Sequence, residues 1–144
     1  MSTPIRFRRL DPTISVPEYK TAGAVAFDIA VNEETLLAPQ ERKILSTGLI
    51  IEVPKGHALI LASRSSNAKK GIGLANSIGV IDEDYCGPSD EIRLAVINIG
   101  SEPVSIKKGD RIAQGLIIPI VKGIFEETLG AEGPSRGGFG TTGT

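Results

Sequence analysis

The sequence predicts an all-β domain of the sandwich, jelly-roll or barrel type, and three observations lead there. Isoleucine and valine number 19 and 8 against 11 leucines, and β-branched side chains suit pleated strands better than helices. Glycine and proline, at 17 and 9 residues, are abundant for a helical chain of 144 residues. Short apolar runs recur between clusters of turn-forming residues, at the spacing of a packed or closed β structure.

Taken in order, the expected strands are Ile5–Leu10, Ala24–Val31, Lys43–Val53, His57–Ser63, Ile78–Asp82, Glu91–Asn98, Val104–Lys107 and Arg111–Val121. Pro54-Lys55-Gly56, Asn98-Ile99-Gly100 and Lys107-Lys108-Gly109-Asp110 separate successive runs, and each is turn chemistry. Only Ser66–Lys70 reads as a short helix. Ile50-Ile51-Glu52-Val53 and Leu116-Ile117-Ile118-Pro119-Ile120 are apolar on both faces. A lone small domain would leave one such face in water, so a subunit interface is expected to cover it.

Charge and composition exclude several classes. Sixteen basic against 17 acidic side chains give a net charge of −1, without the basic excess of a general nucleic-acid binder. One cysteine, Cys86, and one histidine, His57, build neither an internal disulfide framework nor a zinc site. MSTPIRFRRLDPT lacks an apolar export core, and no apolar run reaches the roughly 18 residues of a membrane span. A cytoplasmic protein without a membrane partner is expected.

The organisation is a β domain over 1–129 followed by a flexible, glycine-rich C-terminal arm over 130–144. The arm reads GAEGPSRGGFGTTGT, with six glycines, one arginine and one phenylalanine. Such a segment packs no core. Its amides, hydroxyls and Arg136 suit phosphate oxygens, and Phe139 is free to stack on a base.

Five segments in order then carry a family pattern. They are Ala24-Val25-Ala26-Phe27-Asp28-Ile29, Arg64-Ser65-Ser66, Asn76–Tyr85, Gly109-Asp110-Arg111-Ile112-Ala113-Gln114, and Arg136–Thr142. Together they resemble the five motifs of the trimeric dUTPase family over nearly the whole chain. The resemblance implies a dUTPase-like jelly roll and hydrolysis of dUTP to dUMP and pyrophosphate. Asp82 matches the residue that orients and activates the water attacking the α-phosphorus, which is how such a bond is broken. It further implies that Asn76, Gly79, Ile81 and Arg93 meet uracil in a hairpin formed with the following strand. Tyr85 would lie beneath the deoxyribose and reject a 2′-hydroxyl, because a tight apolar wall leaves that hydroxyl unsatisfied. Arg64, Ser65, Ser66 and Gln114 match phosphate contacts, and Arg136, Phe139, Gly140 and Thr141 match the arm's contacts. Asp28 matches the aspartate that faces Mg2+ through water. The partners implied are dUTP and two further copies of the chain, in a homotrimer whose subunits share each site.

The chain departs from the family pattern in four places. Ser66 stands where glycine is usual, Ala26 replaces a glycine, the stretch after Tyr85 is longer, and Arg136 stands closer to Phe139. Arg-Ser-Ser also occurs in dCTP deaminases of the same fold, which place a glutamate three residues before an asparagine. Counting back from Asn98 gives Ala95, which has no carboxyl group, and Glu91 lies further back. A non-catalytic nucleotide-binding sensor is the other alternative, although Asp82, Tyr85, Gln114 and Phe139 are all present.

Overall fold

A computed structural model of the chain describes residues 3–139. Among them are eleven strands: β1 Arg6–Arg9, β2 Phe27–Ala30, β3 Thr35–Leu37, β4 Arg42–Ser46, β5 Leu49–Glu52, β6 His57–Ser63, β7 Ile72–Leu74, β8 Gly79–Ile81, β9 Arg93–Asn98, β10 Val104–Ile106 and β11 Arg111–Pro119. The single helix, α1, is Asn67–Lys70. No helix among these residues is long and apolar enough to cross a membrane. The architecture is all-β, as the composition predicts, and jelly-roll-like, as the family resemblance implies.

Two sheets position the site. One has the order β2-β11-β6-β8 and the other β4-β9-β7, while β1-β5 and β10-β3 form two-stranded ribbons. All pairings are antiparallel. Alternation turns Phe27, Ile29, Leu59 and Leu61 inward, against Leu45, Leu94 and Val96 of the second sheet. With few aromatics in the chain, aliphatic packing fills this core.

The structure departs from the expected elements in three ways. Lys43–Val53 is two strands, because Gly48 turns the chain with φ +67, and a Cβ there would stand 2.0 Å from Ile14 Cδ1. β4 then pairs with β9 and β5 with β1. Leu49, Ile50 and Ile51 are consequently buried by their own chain, and this run needs no second subunit to cover it. Finally, β3 and β7 were not expected, since three residues show too little alternation to register as strands.

The outward face of the four-stranded sheet behaves differently. Leu116, Ile60 and Val80 lie side by side across β11, β6 and β8, and Val80 is 58% exposed. Ile120 makes the last backbone hydrogen bond to the body among the described residues, donating to the Gly56 carbonyl at 3.0 Å. From 121 to 139 every residue is exposed, without strand or helix.

Candidate active site

The turn 75–78 carries the chain from β7, at the edge of one sheet, to β8, at the edge of the other. Ser77 sits in the left-handed region at φ 64, and the Ala75 amide donates to the Ala95 carbonyl at 2.8 Å. Between the two edges is a recess of about 120 Å³ lined by Asn76, Gly79, Ile81 and Arg93 together with Leu74 and Leu94. Gly79 allows a close approach, since a Cβ there would meet the Leu61 side chain at 3.0 Å. The expected hairpin between β8 and the following strand is absent. β8 pairs with β6, and β9 pairs with β4 and β7, so the recess opens between strands of different sheets.

Asp82 leaves β8 at the rim of this region and is exposed. Tyr85 follows on a turn whose amide donates to the Asp82 carbonyl at 3.3 Å. Its ring is half open, and its hydroxyl donates to the Glu91 carbonyl at 3.0 Å. The long stretch between them is braced: Arg8 Nη2 donates to the carbonyls of Cys86 at 2.5 Å and Gly87 at 3.1 Å. The Gly87 amide donates to Asp90 Oδ2 at 2.6 Å. Glu91 itself is buried. Its Oε1 accepts from the Ser46 hydroxyl and the Gly48 amide, and its Oε2 faces Arg93 Nε at 3.3 Å. A carboxylate so engaged holds the β4–β5 turn, and it is not among the residues lining the recess.

Beside Asp82, Glu83 accepts from the Gly56 amide and from Lys122 Nζ, both at 2.8 Å. The Lys122 ammonium, followed by the Gly56 amide, holds the Glu83 carboxyl below its ordinary range. Lys122 is raised in turn, chiefly by Glu83. Because the Gly56 carbonyl takes the Ile120 amide, one residue joins the Asp82 turn to the last residue with a backbone hydrogen bond to the body among those described.

The other matching residues gather on the outward face of the four-stranded sheet. Gln114 lies directly opposite Asp28 on β2 and Ala62 on β6, and its Nε2 donates to the Ser63 carbonyl at 3.0 Å. Asp28 Oδ1 meets Arg64 Nε at 2.8 Å and Oδ2 meets Arg111 Nη1 at 3.1 Å. Ser65 and Ser66 precede α1, whose N-cap Ser66 makes no side-chain capping bond. Asn67 is buried and fixes this turn, with Nδ2 donating to Ser63 Oγ at 2.8 Å and to the Ile112 carbonyl at 2.7 Å. Two guanidinium groups around one carboxylate leave surplus positive charge, which suits an anion.

Two groups therefore form, one around the recess and Asp82, the other around Asp28, Arg64 and Gln114. β2 and β8 lie at opposite edges of one sheet, three strand spacings or about 14 Å apart. Arg136 and Phe139 are exposed on the C-terminal segment, while Gly140 and Thr141 lie outside the described residues. Sequence reasoning passed over Arg111 and the Glu83–Lys122 pair. The pattern Arg-Ile-Ala-Gln, with two adjacent apolar residues between polar ones, was the available signal for the first.

Comparison with known proteins gives a consistent picture. A sequence model described as dUTPase matches residues 13–143. The chain is 40% identical to a deoxyuridine 5'-triphosphate nucleotidohydrolase of Anaeromyxobacter sp. (strain Fw109-5), over 99% of each chain. It superposes on the Staphylococcus bacteriophage 80alpha dUTPase with dUpNHpp at a TM-score of 0.87 and 23% identity, covering 99% of this chain and 100% of that one. A mutant dUTPase from phage phi11 of S. aureus, which coordinates a structural Mg(II) ion, aligns at a TM-score of 0.79 and 22% identity, covering 89% of this chain and 98% of that one.

Proposed function

The chain belongs to the dUTPase family, and on that premise we propose that it hydrolyses dUTP to dUMP and pyrophosphate, with Asp82 activating the attacking water. The observation that carries this reading is the recess: Asn76, Gly79, Ile81 and Arg93 line one cavity, and Asp82 follows directly on the strand that forms its wall. A pyrimidine in the recess would bring its sugar toward Tyr85 and its α-phosphate toward the Asp82 carboxylate. Held in line, a water losing its proton to Asp82 attacks phosphorus, and pyrophosphate leaves. Arg64, Ser65, Ser66 and Gln114 would meet the phosphate oxygens, and Arg136, Phe139, Gly140 and Thr141 would close the site from the arm.

The donor set fits a divalent metal that arrives with the triphosphate. No group of three His, Cys, Asp or Glu side chains that could hold an ion occurs among the described residues. Both Asp28 oxygens face guanidinium groups, so Asp28 would address Mg2+ through water while the phosphates supply its direct ligands. Bound there, Mg2+ would draw charge from the phosphate oxygens and help the leaving group depart.

A homotrimer in the cytoplasm completes the proposal. The two residue groups sit on opposite sheet edges, and Leu116, Ile60 and Val80 form an apolar row on the outward face. Both features are accounted for when subunits share each site. Light scattering on a size-exclusion column is expected to give three times 15.2 kDa, and a stable, active monomer would contradict it.

Pyrophosphate release from dUTP, dTTP, dCTP and UTP, assayed side by side, tests the function. Turnover of dUTP well above the rest is expected, and equal or absent turnover refutes the reading. Tyr85→Ala is expected to raise activity on UTP relative to dUTP, because the wall beneath the sugar opens. An unchanged UTP/dUTP ratio would reduce Tyr85 to the loop brace given by its bond to Glu91.

A further inference from the structure

We propose that Arg8 is a positioning residue for the choice between deoxyribose and ribose, holding the loop behind Tyr85 so that its ring stands as the wall of the sugar site. This rests on the dUTP-hydrolysing reading above.

The argument begins with how the loop is anchored. Residues 82–92 connect β8 to β9 without strand or helix, and they form two turns. The first is closed by the Tyr85 amide on the Asp82 carbonyl and fastened outward through Glu83 to Gly56 and Lys122. The second closes on itself. The Asp90 amide donates to the Gly87 carbonyl at 3.2 Å, and the Gly87 amide donates to Asp90 Oδ2. Tyr85 bridges this second turn, because its hydroxyl reaches the Glu91 carbonyl on the far side. Glu91 is buried, and the Ile92 amide beyond it donates to the Leu49 carbonyl at 2.8 Å. The tip of the ring is therefore set against a fixed point, while its root depends on the backbone of Cys86 and Gly87.

That backbone is held by Arg8. Among the described residues, Arg8 is the sole group outside the loop that bonds the main chain of Cys86 or Gly87, and it does so across 78 and 79 positions of sequence. Its neighbour on the same strand face behaves otherwise. Arg6 lies opposite Glu52 on β5 and pairs with it at 2.8 Å. Arg8 lies opposite Ile50 and makes no ion pair among the described residues, so its charge is spent on two loop carbonyls. Charged donors of this kind make the stronger hydrogen bonds. Added loop length brings added conformational freedom, and Arg8 removes it directly behind the tyrosine. Without that hold the ring can retreat, and the room gained is where a 2′-hydroxyl would go.

Steady-state kinetics on dUTP and UTP test the proposal. Arg8→Met keeps the apolar stem and removes the donors. It is expected to raise the UTP/dUTP ratio of kcat/KM about fivefold, with dUTP turnover changed far less. Arg8→Lys should recover part of the discrimination. In a Tyr85→Ala background Arg8→Met should add nothing to the ratio, since Arg8 acts through that ring. Thermal midpoints are read in parallel, because a loss of stability alone leaves the ratio where it was. The chain has two tyrosines, so fluorotyrosine labelling gives two fluorine resonances, assigned with Tyr85→Phe. Arg8→Met should shift or broaden that of Tyr85 and spare that of Tyr19, which packs edge-on against Phe27.

A folded Arg8→Met protein with an unchanged UTP/dUTP ratio would overturn the proposal and leave Arg8 a stitch of the loop. A ratio that rises equally in the Tyr85→Ala background would overturn action through the ring. Should Arg8→Met fail to fold, Arg8→Gln, a neutral amide on a shorter stem, is read in the same way. If wild-type protein releases no pyrophosphate from dUTP, the hydrolytic reading falls by itself. Calorimetry then compares non-hydrolysable dUpNHpp with its ribose counterpart: a preference for dUpNHpp that drops about fivefold in Arg8→Met supports the proposal, and an unchanged preference overturns it.

Discussion

Asp82→Asn is expected to lower kcat on dUTP by on the order of 10²-fold or more while dUpNHpp still binds. The amide matches the carboxylate in shape but is a poor acceptor for the water's proton, and a positioned base is worth about that much. Asp82 is exposed and follows β8, so the substitution disturbs no core packing and the thermal midpoint should not move. The recess residues Asn76, Gly79, Ile81 and Arg93 lie outside the change, so KM should move little. Single-turnover kinetics would locate the loss in the chemical step. A variant that hydrolyses dUTP at the wild-type rate would remove Asp82 from its role.

Ending the chain at Pro134 is expected to leave a folded protein of unchanged thermal stability with kcat/KM reduced on the order of 10²-fold. Residues 135–139 are exposed, so among the described residues the deletion takes nothing from the core. It removes Arg136 and Phe139, whose part in the proposed mechanism begins only when substrate is present. Closing groups of this kind align the reacting atoms and exclude water, and small losses of alignment are expensive in rate. Protease sensitivity beyond Pro134 should fall when dUpNHpp and Mg2+ are added to the full chain. Full kcat/KM in the shortened protein would show that the site closes by other means.

The long apolar elements bounded by turns were legible in the sequence, and those fixed by one distant contact were not. His57–Ser63 is a strand as expected, because a short apolar run of Ala-Leu-Ile-Leu-Ala opened by the Pro54-Lys55-Gly56 turn fits a buried strand. The division of Lys43–Val53 depends on Ile14 closing over Gly48, a contact across 34 positions that periodicity does not encode. Asp82, Asn76 and Gln114 stood out because the segments that carry them resemble family motifs in the right order. Arg111 stood in one of the same segments and was passed over, because its direction depends on a bulge between Arg111 and Ala113 whose only trace is two adjacent apolar residues. Glu91 was weighed as a proton-shuttling carboxylate. Only the fold reveals that Ser46, Gly48 and Arg93 already engage it.

The junction of Gly56, Glu83 and Lys122 has a consequence for reach. Seventeen positions separate Lys122 from Phe139. Fully extended they span at most about 60 Å, and as a flexible chain roughly 23 Å on average. With the arm flexible, as the proposed closure requires, the junction would be a mooring and the phenylalanine would sweep a volume centred on it, at an effective concentration on the order of millimolar around any site within that radius. Doubling the tether would cost ring closure only about 0.6 kcal/mol, so its length is a forgiving variable. Where it is moored is not, because releasing Lys122 from Glu83 frees the tether's root as far back as Ile120 and moves the centre of the swept volume away from the turn that carries Asp82.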